Sequence, residues 1–210
     1  MKRFRKLVCL ILAITMIGGS GFAQPVQAAE KTSQVKTQSN EKDNLAEWLN
    51  VCEEMGLKLK QYRFSYGKYG NKSTFKASKA HGRKANCAAY VSWCLQEYGI
   101  LKKGETFYAK RSGAISRRFK SWKNKVKIIR VYKNPSKAPL QPGDIVCWKG
   151  IVHVNIYAGK NSKGQRLWFD GGSAGCKRGR VRYYTSAQKK KVFNYLNKYK
   201  ISYIIRIKDL

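Results

Sequence analysis

The chain changes its hydrophobic period near residue 125, and that switch restricts the available folds more than any other feature. Before it, apolar residues recur at helical spacing. Leu45, Trp48, Leu49 and Cys52 mark one amphipathic helix, which Asp43 or Asn44 can cap. NCAAYVSWCLQEYGI (Asn86–Ile100) marks the strongest helix, with Gly99 as its stop signal. Shorter helical pieces are expected around Thr74–Ala80 and Gly113–Trp122. After the switch, β-branched and aromatic residues gather in short runs: VKIIRVY, DIVCWK, VHVNIYAG, RLWFD, RVRYY and ISYIIRI. Pro135, Pro139 and Pro142 punctuate them, NSKGQ reads as a hairpin turn, and TSAQKKKVFNYLNKY inserts a helix before the last strand. Helices followed by an antiparallel meander predict an α+β domain with no internal repeat and no second domain.

The N-terminus sets the compartment. Lys2, Arg3, Arg5 and Lys6 precede the apolar run LVCLILAITMI, and Val26-Gln27-Ala28 forms a small-x-small cleavage site. Residues 1–28 therefore read as a secretory signal peptide. The apolar run falls short of the roughly 20 residues a spanning helix needs, so no transmembrane anchor is expected after signal removal. Residues 29–42 (AEKTSQVKTQSNEK) read as a flexible leader, and residues 43–210 as the folded domain. The expected product is secreted, either extracellular or associated with the cell wall, and monomeric.

Charge narrows the partners. The 210 residues carry a formal net charge of +33, which excludes indifference to polyanions. Beyond Met55 the acidic residues are only Glu97, Glu105, Asp144, Asp170 and Asp209. Nucleic acid, anionic lipid and anionic wall polymers would all answer such a field. In an exported protein, wall polymers held by the basic surface are the expected partner, and nucleic acid is not.

Five of the six cysteines lie beyond the signal, an odd number that leaves at least one thiol free. Their spacings match no zinc template and histidine is limited to His81 and His153, so neither a metal nor another cofactor is expected. A disulfide among Cys52, Cys94, Cys147 and Cys176 is open. Cys87 stands apart, because it begins the strongest helix. A helix N-terminus stabilises a thiolate, and its backbone N–H groups can hold an oxyanion. Cys94, two turns later, reads as a structural residue, and His81 as a surface one.

His153, in the strand VHVNIYAG, supplies the imidazole that a thiol nucleophile requires. Asp170 closes RLWFD, the strand across the hairpin, where it can bind the far ring nitrogen and stabilise the imidazolium. Asn155, two residues along from His153, is the rival orienter. A turn Asp before Gly171-Gly172 is the plainer reading of Asp170.

The ordered set of a helix-start Cys, PGDIV, a strand His followed by IYAG, and a polar residue on the next strand resembles the NlpC/P-sixty family. The resemblance runs from about Tyr62 to Lys208. It implies a papain-like α+β fold, with the nucleophile at a helix start packed on an antiparallel sheet. It further implies a cysteine peptidase or amidase acting on cell walls, with Cys87 as nucleophile, His153 as base and Asp170 as third polar residue. Tyr66, in FSYGKYG, matches a Tyr-Gly that would help form the substrate groove or oxyanion site. The chain departs from the family's Asp-Cys-Ser-Gly, having Asn86-Cys87-Ala88-Ala89 instead.

The leading expectation is thus a secreted hydrolase cleaving amide bonds of peptidoglycan stem peptides through an acyl-enzyme. An N-acetylmuramoyl-L-alanine amidase or a transacylase would use the same residues. A non-catalytic cationic wall binder is the alternative of a different class, and an extracellular nucleic-acid binder a third. The residues do not say which peptidoglycan bond is cut.

Overall fold

The computed structural model describes residues 43–59, 63–64, 76, 84–106, 120–122, 124–171 and 191–210. The chain divides into two units, Met1–Lys36 and Thr37–Leu210, and every described residue belongs to the second. The expected signal peptide, the leader, Tyr66, His81, Cys176 and the strand RVRYY lie outside the described residues. So does most of the helical pieces expected around Thr74–Ala80 and Gly113–Trp122, of which Lys120–Trp122 forms a 3₁₀ turn.

The fold is α+β, and the two long helices and six-stranded antiparallel sheet among the described residues are compatible with a papain-like fold. Helix α1 runs through residues 43–58. Strands β1 (Arg63–Phe64) and β2 (Lys84–Ala85) pair in parallel and lead into helix α2 (Cys87–Glu97). The large sheet contains β3 (Val126–Lys133), β4 (Ile145–Lys149), β5 (Val154–Lys160), β6 (Arg166–Phe169), β7 (Lys191–Val192) and β8 (Lys200–Ile207). Its spatial order is β3-β8-β4-β5-β6-β7, so the chain is not the simple meander expected. The last strand inserts between β3 and β4. Its near-continuous apolar run, with Ile201, Ser202, Ile204, Ile205 and Ile207 buried, suits a central position covered on both faces.

Alternation along the strands explains the two-sided core. On β4, Ile145 and Cys147 face the layer formed with α1 and α2, while Val146 and Trp148 face the opposite layer. The helix-side core also holds Val154, Ile156 and Phe169 from the sheet, with Trp48 and Met55 from α1 and most of α2. The far face is closed by Trp148, Tyr157 and Trp168, whose rings meet at centroid separations of 5.2–5.4 Å. Phe193 and Leu196 cover them. Here the sequence expectation of a helix is modified: Lys191 and Val192 pair with Trp168 and Leu167, and a 3₁₀ helix follows over Asn194–Lys198. The three-residue spacing of Phe193 and Leu196 fits the 3₁₀ period.

Two contacts fix the helices in place. Trp48 is fully buried, stacks against Tyr98 at 5.3 Å, and donates its indole N–H to the Gly143 carbonyl at 3.0 Å. The Tyr90 hydroxyl donates to the Cys52 carbonyl at 2.7 Å, tying α2 to α1. The PGDIV segment gains its meaning here. Asp144 accepts the Gln141 N–H at 2.7 Å, closing the turn, and receives Arg206 Nε and Nη2 at 2.8 and 2.9 Å. That bidentate pair fastens the start of β4 to β8.

Candidate active site

The site begins with a helix cap. Asn86 is extended (φ −147°, ψ 178°), and its Oδ1 accepts the Ala89 N–H at 2.9 Å. Asn is among the best N-capping residues, so its side chain terminates the helix in place of an acid. Cys87 is therefore the first helical residue, 7% exposed, at the positive end of α2. Tyr90 N–H bonds to the Asn86 carbonyl, while the N–H groups of Cys87 and Ala88 have no partner within the helix. They are suited to receive a developing negative charge. Cys87 to Leu95 is buried without a break, so this stretch of the helix is covered on every side.

Helix α2 packs against β5, the strand that follows His153. His153 itself sits one place before the strand, in the turn from β4, rather than inside the strand as the sequence pattern implied. Gly150 makes that turn with φ +94°, and the Trp148 N–H reaches the His153 carbonyl at 3.3 Å. The pairing of Ile156 with Phe169, extended outward, brings Asp170 diagonally onto the His153 ring. His153 Nε2 lies 2.8 Å from Asp170 Oδ2, with the imidazole 11% exposed and the carboxylate fully buried. Asp170 thus occupies the far ring nitrogen, which leaves Nδ1 as the nitrogen available to a nucleophile.

Cys87 is that neighbour. Burial is the largest single influence on His153 and opposes the charged ring. The Asp170 carboxylate, its hydrogen bond, and hydrogen bonding and charge from Cys87 together outweigh it, holding the His153 pKa well above its ordinary value. The structure therefore brings together Cys87, His153 and Asp170, three residues separated by as much as 83 positions in the chain. An imidazolium between two potential anions is the arrangement that activates a thiol for acyl transfer.

Asn155 is placed differently. Its Oδ1 accepts the Trp148 indole N–H at 3.0 Å, and its buried Nδ2 has no hydrogen-bond partner among the described residues. Two other thiols are held in their protonated form. Cys147, beside Cys87, has its pKa pushed up to about 12 by burial and by the charge of Cys87. Burial, then the neighbouring Cys94, also raises Cys52 well above its ordinary value. Cys52, Cys94 and Cys147 are free and buried, so no disulfide joins them. No three His, Cys, Asp or Glu side chains among the described residues are grouped to hold a metal.

One neighbour was not singled out by the sequence. Tyr195, on the 3₁₀ helix, has its pKa raised by burial and then by the negative charges of Asp170 and Cys87. Its ring meets Phe193 edge-on at 5.8 Å. It therefore stands within electrostatic reach of the cluster while keeping 43% of its surface exposed. Nothing in FNYLNKY distinguished it from Tyr199.

Residues 77–173 match the family model of the CHAP domain. That family comprises peptidoglycan-hydrolase domains related to papain-like cysteine peptidases and amidases. The CHAP match spans just under half of the chain and contains Cys87, His153 and Asp170. It supports the papain-like cell-wall class to which the sequence resemblance pointed, without singling out NlpC/P-sixty. Neither the curated proteins nor the solved structures yielded a match. No helix among the described residues is long and apolar enough to cross a membrane.

Proposed function

We propose that this protein is a secreted cell-wall hydrolase that cleaves amide bonds in peptidoglycan stem peptides. The observation that carries the proposal is the 2.8 Å pair of His153 Nε2 and Asp170 Oδ2, with Cys87 near enough to act on the same ring and all three residues inside the CHAP match. The Cys87 thiolate attacks the amide carbonyl, and the oxyanion that forms faces the N–H groups at the start of α2. The C–N bond then breaks as the His153 imidazolium protonates the leaving amine, leaving a thioester on Cys87. Water gives a proton to the neutral imidazole and attacks the thioester. The C–S bond breaks and the thiolate–imidazolium pair is restored. Asp170 keeps the ring oriented and its charge balanced throughout.

Purified walls incubated with the Cys87→Ala protein test the mechanism. Lysis should vanish while the circular dichroism spectrum stays unchanged; a variant that still lyses walls would remove the thiol from the chemistry. Mass spectrometry of fragments released by the wild type identifies the bond. New amino termini inside the stem peptide mark an endopeptidase, and free lactyl carboxylates on the glycan mark an amidase at the sugar–peptide junction.

A further inference from the structure

The ends of β3 and β4 and the start of β8 meet at one edge of the sheet, where Lys133 pairs with Ile201 and Lys149 with Lys200. Arg130, Lys133, Lys149 and Lys200 are all exposed there. Tyr132 lies among them. Its hydroxyl accepts from Arg130 Nη2 at 2.9 Å; the guanidinium carbon is 4.7 Å, and Lys149 Nζ 5.1 Å, from its ring centroid. Tyr132 also has φ +51°, at the point where the register of β3 against β8 shifts. A bulky residue adopts that left-handed conformation rarely; here it accompanies the irregularity in the ladder and turns the ring toward Arg130 and Lys149.

Charge supplies the second observation. Lys149 and Lys200 stand directly opposite one another, an arrangement that repels. Among the described residues, every acid is placed elsewhere. Glu97 faces Lys58 at 3.9 Å, Glu105 bonds the Lys102 N–H and the Ser121 hydroxyl, Asp144 holds Arg206, and Asp170 holds His153. Asp209 follows the opposite end of β8. The acids of α1 ride on a helix docked at Gly143, before the other end of β4.

We propose that this edge is a binding site for a flexible polyol chain carrying phosphodiesters. Arg130 presents a planar fork, which Tyr132 holds in place, and a fork suits paired phosphate oxygens. Lys149 and Lys200 lie opposite one another on neighbouring strands about 4.8 Å apart, a pair that successive phosphates can bridge. The Tyr132 ring already carries two cations, so it is not an open platform for a nucleic-acid base. The turn bearing His153 follows Lys149 directly, so a chain bound here tethers the protein beside its reactive cluster. The site requires no catalysis and does not depend on the hydrolase reading.

The test uses the full chain carrying Cys87→Ala, titrated with poly(glycerol phosphate). The R130Q/K149Q and K102Q/K103Q pairs each remove two positive charges from exposed positions. The first should weaken binding about tenfold or more and flatten the salt dependence by one to two units; the second should change it less than about twofold. Y132F, which keeps the ring and frees the fork, should weaken binding severalfold. Equal losses in the two pairs would overturn the proposal, since binding would then follow overall charge alone. It would also fall if oligothymidylate of equal phosphate number bound as tightly and with the same dependence on Arg130 and Lys149.

Discussion

Asp170 reaches His153 across the β5–β6 pair, one place beyond the end of its own strand, and is fully buried where it does so. A buried carboxylate needs a compensating partner, and here the partner is the ring whose charge the proposed chemistry requires. We predict that Asp170→Asn lowers kcat by about 10²–10⁴-fold. It should also move the alkaline limb of the pH–rate profile to lower pH. The reason is one of sign: Asp170 raises the His153 pKa, so its loss lets the imidazolium deprotonate earlier as pH rises. An alkaline limb that stayed in place in this variant would show that Asp170 does not set the charge of the ring.

The same pair links stability to pH. The folded-state pKa of His153 is raised, so the pair's stabilisation is complete below the unfolded value of about 6.5 and is lost as pH rises through the folded value. Thermal melts of the wild type against Asp170→Asn should therefore diverge most in mildly acid buffer and converge in alkaline buffer. Parallel curves across that range would contradict the linkage.

How legible this was in the sequence depends on range. The helix over NCAAYVSWCLQEYGI and the hairpin at NSKGQ, which pins β5 against β6, were legible from local residues, and these are the elements that carry Cys87 and flank His153 and Asp170. In that turn the Asn161 side chain accepts from Lys163 N–H and Gln165 N–H, and Gly164 takes φ +70°. The insertion of β8 between β3 and β4 was not legible, because strand order is decided by which faces must be covered. Tyr195 was missed for the same reason: nothing local says where a 3₁₀ turn swings its side chains. The pairing of His153 and Asn155 by alternate spacing misled, because His153 precedes the strand and escapes its pleat.

Asn155 accordingly provides a contrast with Asp170. It bonds Trp148, and its truncation would strand a buried indole N–H. We predict that Asn155→Ala costs about 1–3 kcal/mol of stability. The pH–rate profile of the folded enzyme should be unchanged. A shifted alkaline limb would reinstate Asn155 as the residue acting on the ring.

Tyr195 tests the opposite case, a side chain near the cluster with little structural duty. Burial and the charges of Asp170 and Cys87 keep its hydroxyl protonated, so it remains a donor across the working range. We predict that Tyr195→Phe leaves stability within about 0.5 kcal/mol. Its kcat should fall by about tenfold or more, with KM little changed, as expected for a donor acting in the transition state. If only KM rose, the hydroxyl would be contacting bound substrate rather than the developing charge.

Gly143 joins helix α1 to the start of β4. Its φ is +90°, and a Cβ there would lie 3.1 Å from Trp48 and Leu210 atoms and 3.2 Å from Leu45. A β-carbon thus meets two penalties at once: a left-handed backbone, and side chains packed on all sides by α1 and the C-terminus. We predict that Gly143→Ala destabilises by about 1–3 kcal/mol. For a chain of this size that lowers Tm by roughly 2–4 °C per kcal/mol. Because the strain presses on Trp48, whose indole N–H bonds the Gly143 carbonyl, Trp48→Phe should soften the clash while losing that bond. The double variant would then be less destabilised than the sum of the two single ones, which denaturant unfolding can measure. Strict additivity would show that the Trp48 contact is not the source of the cost.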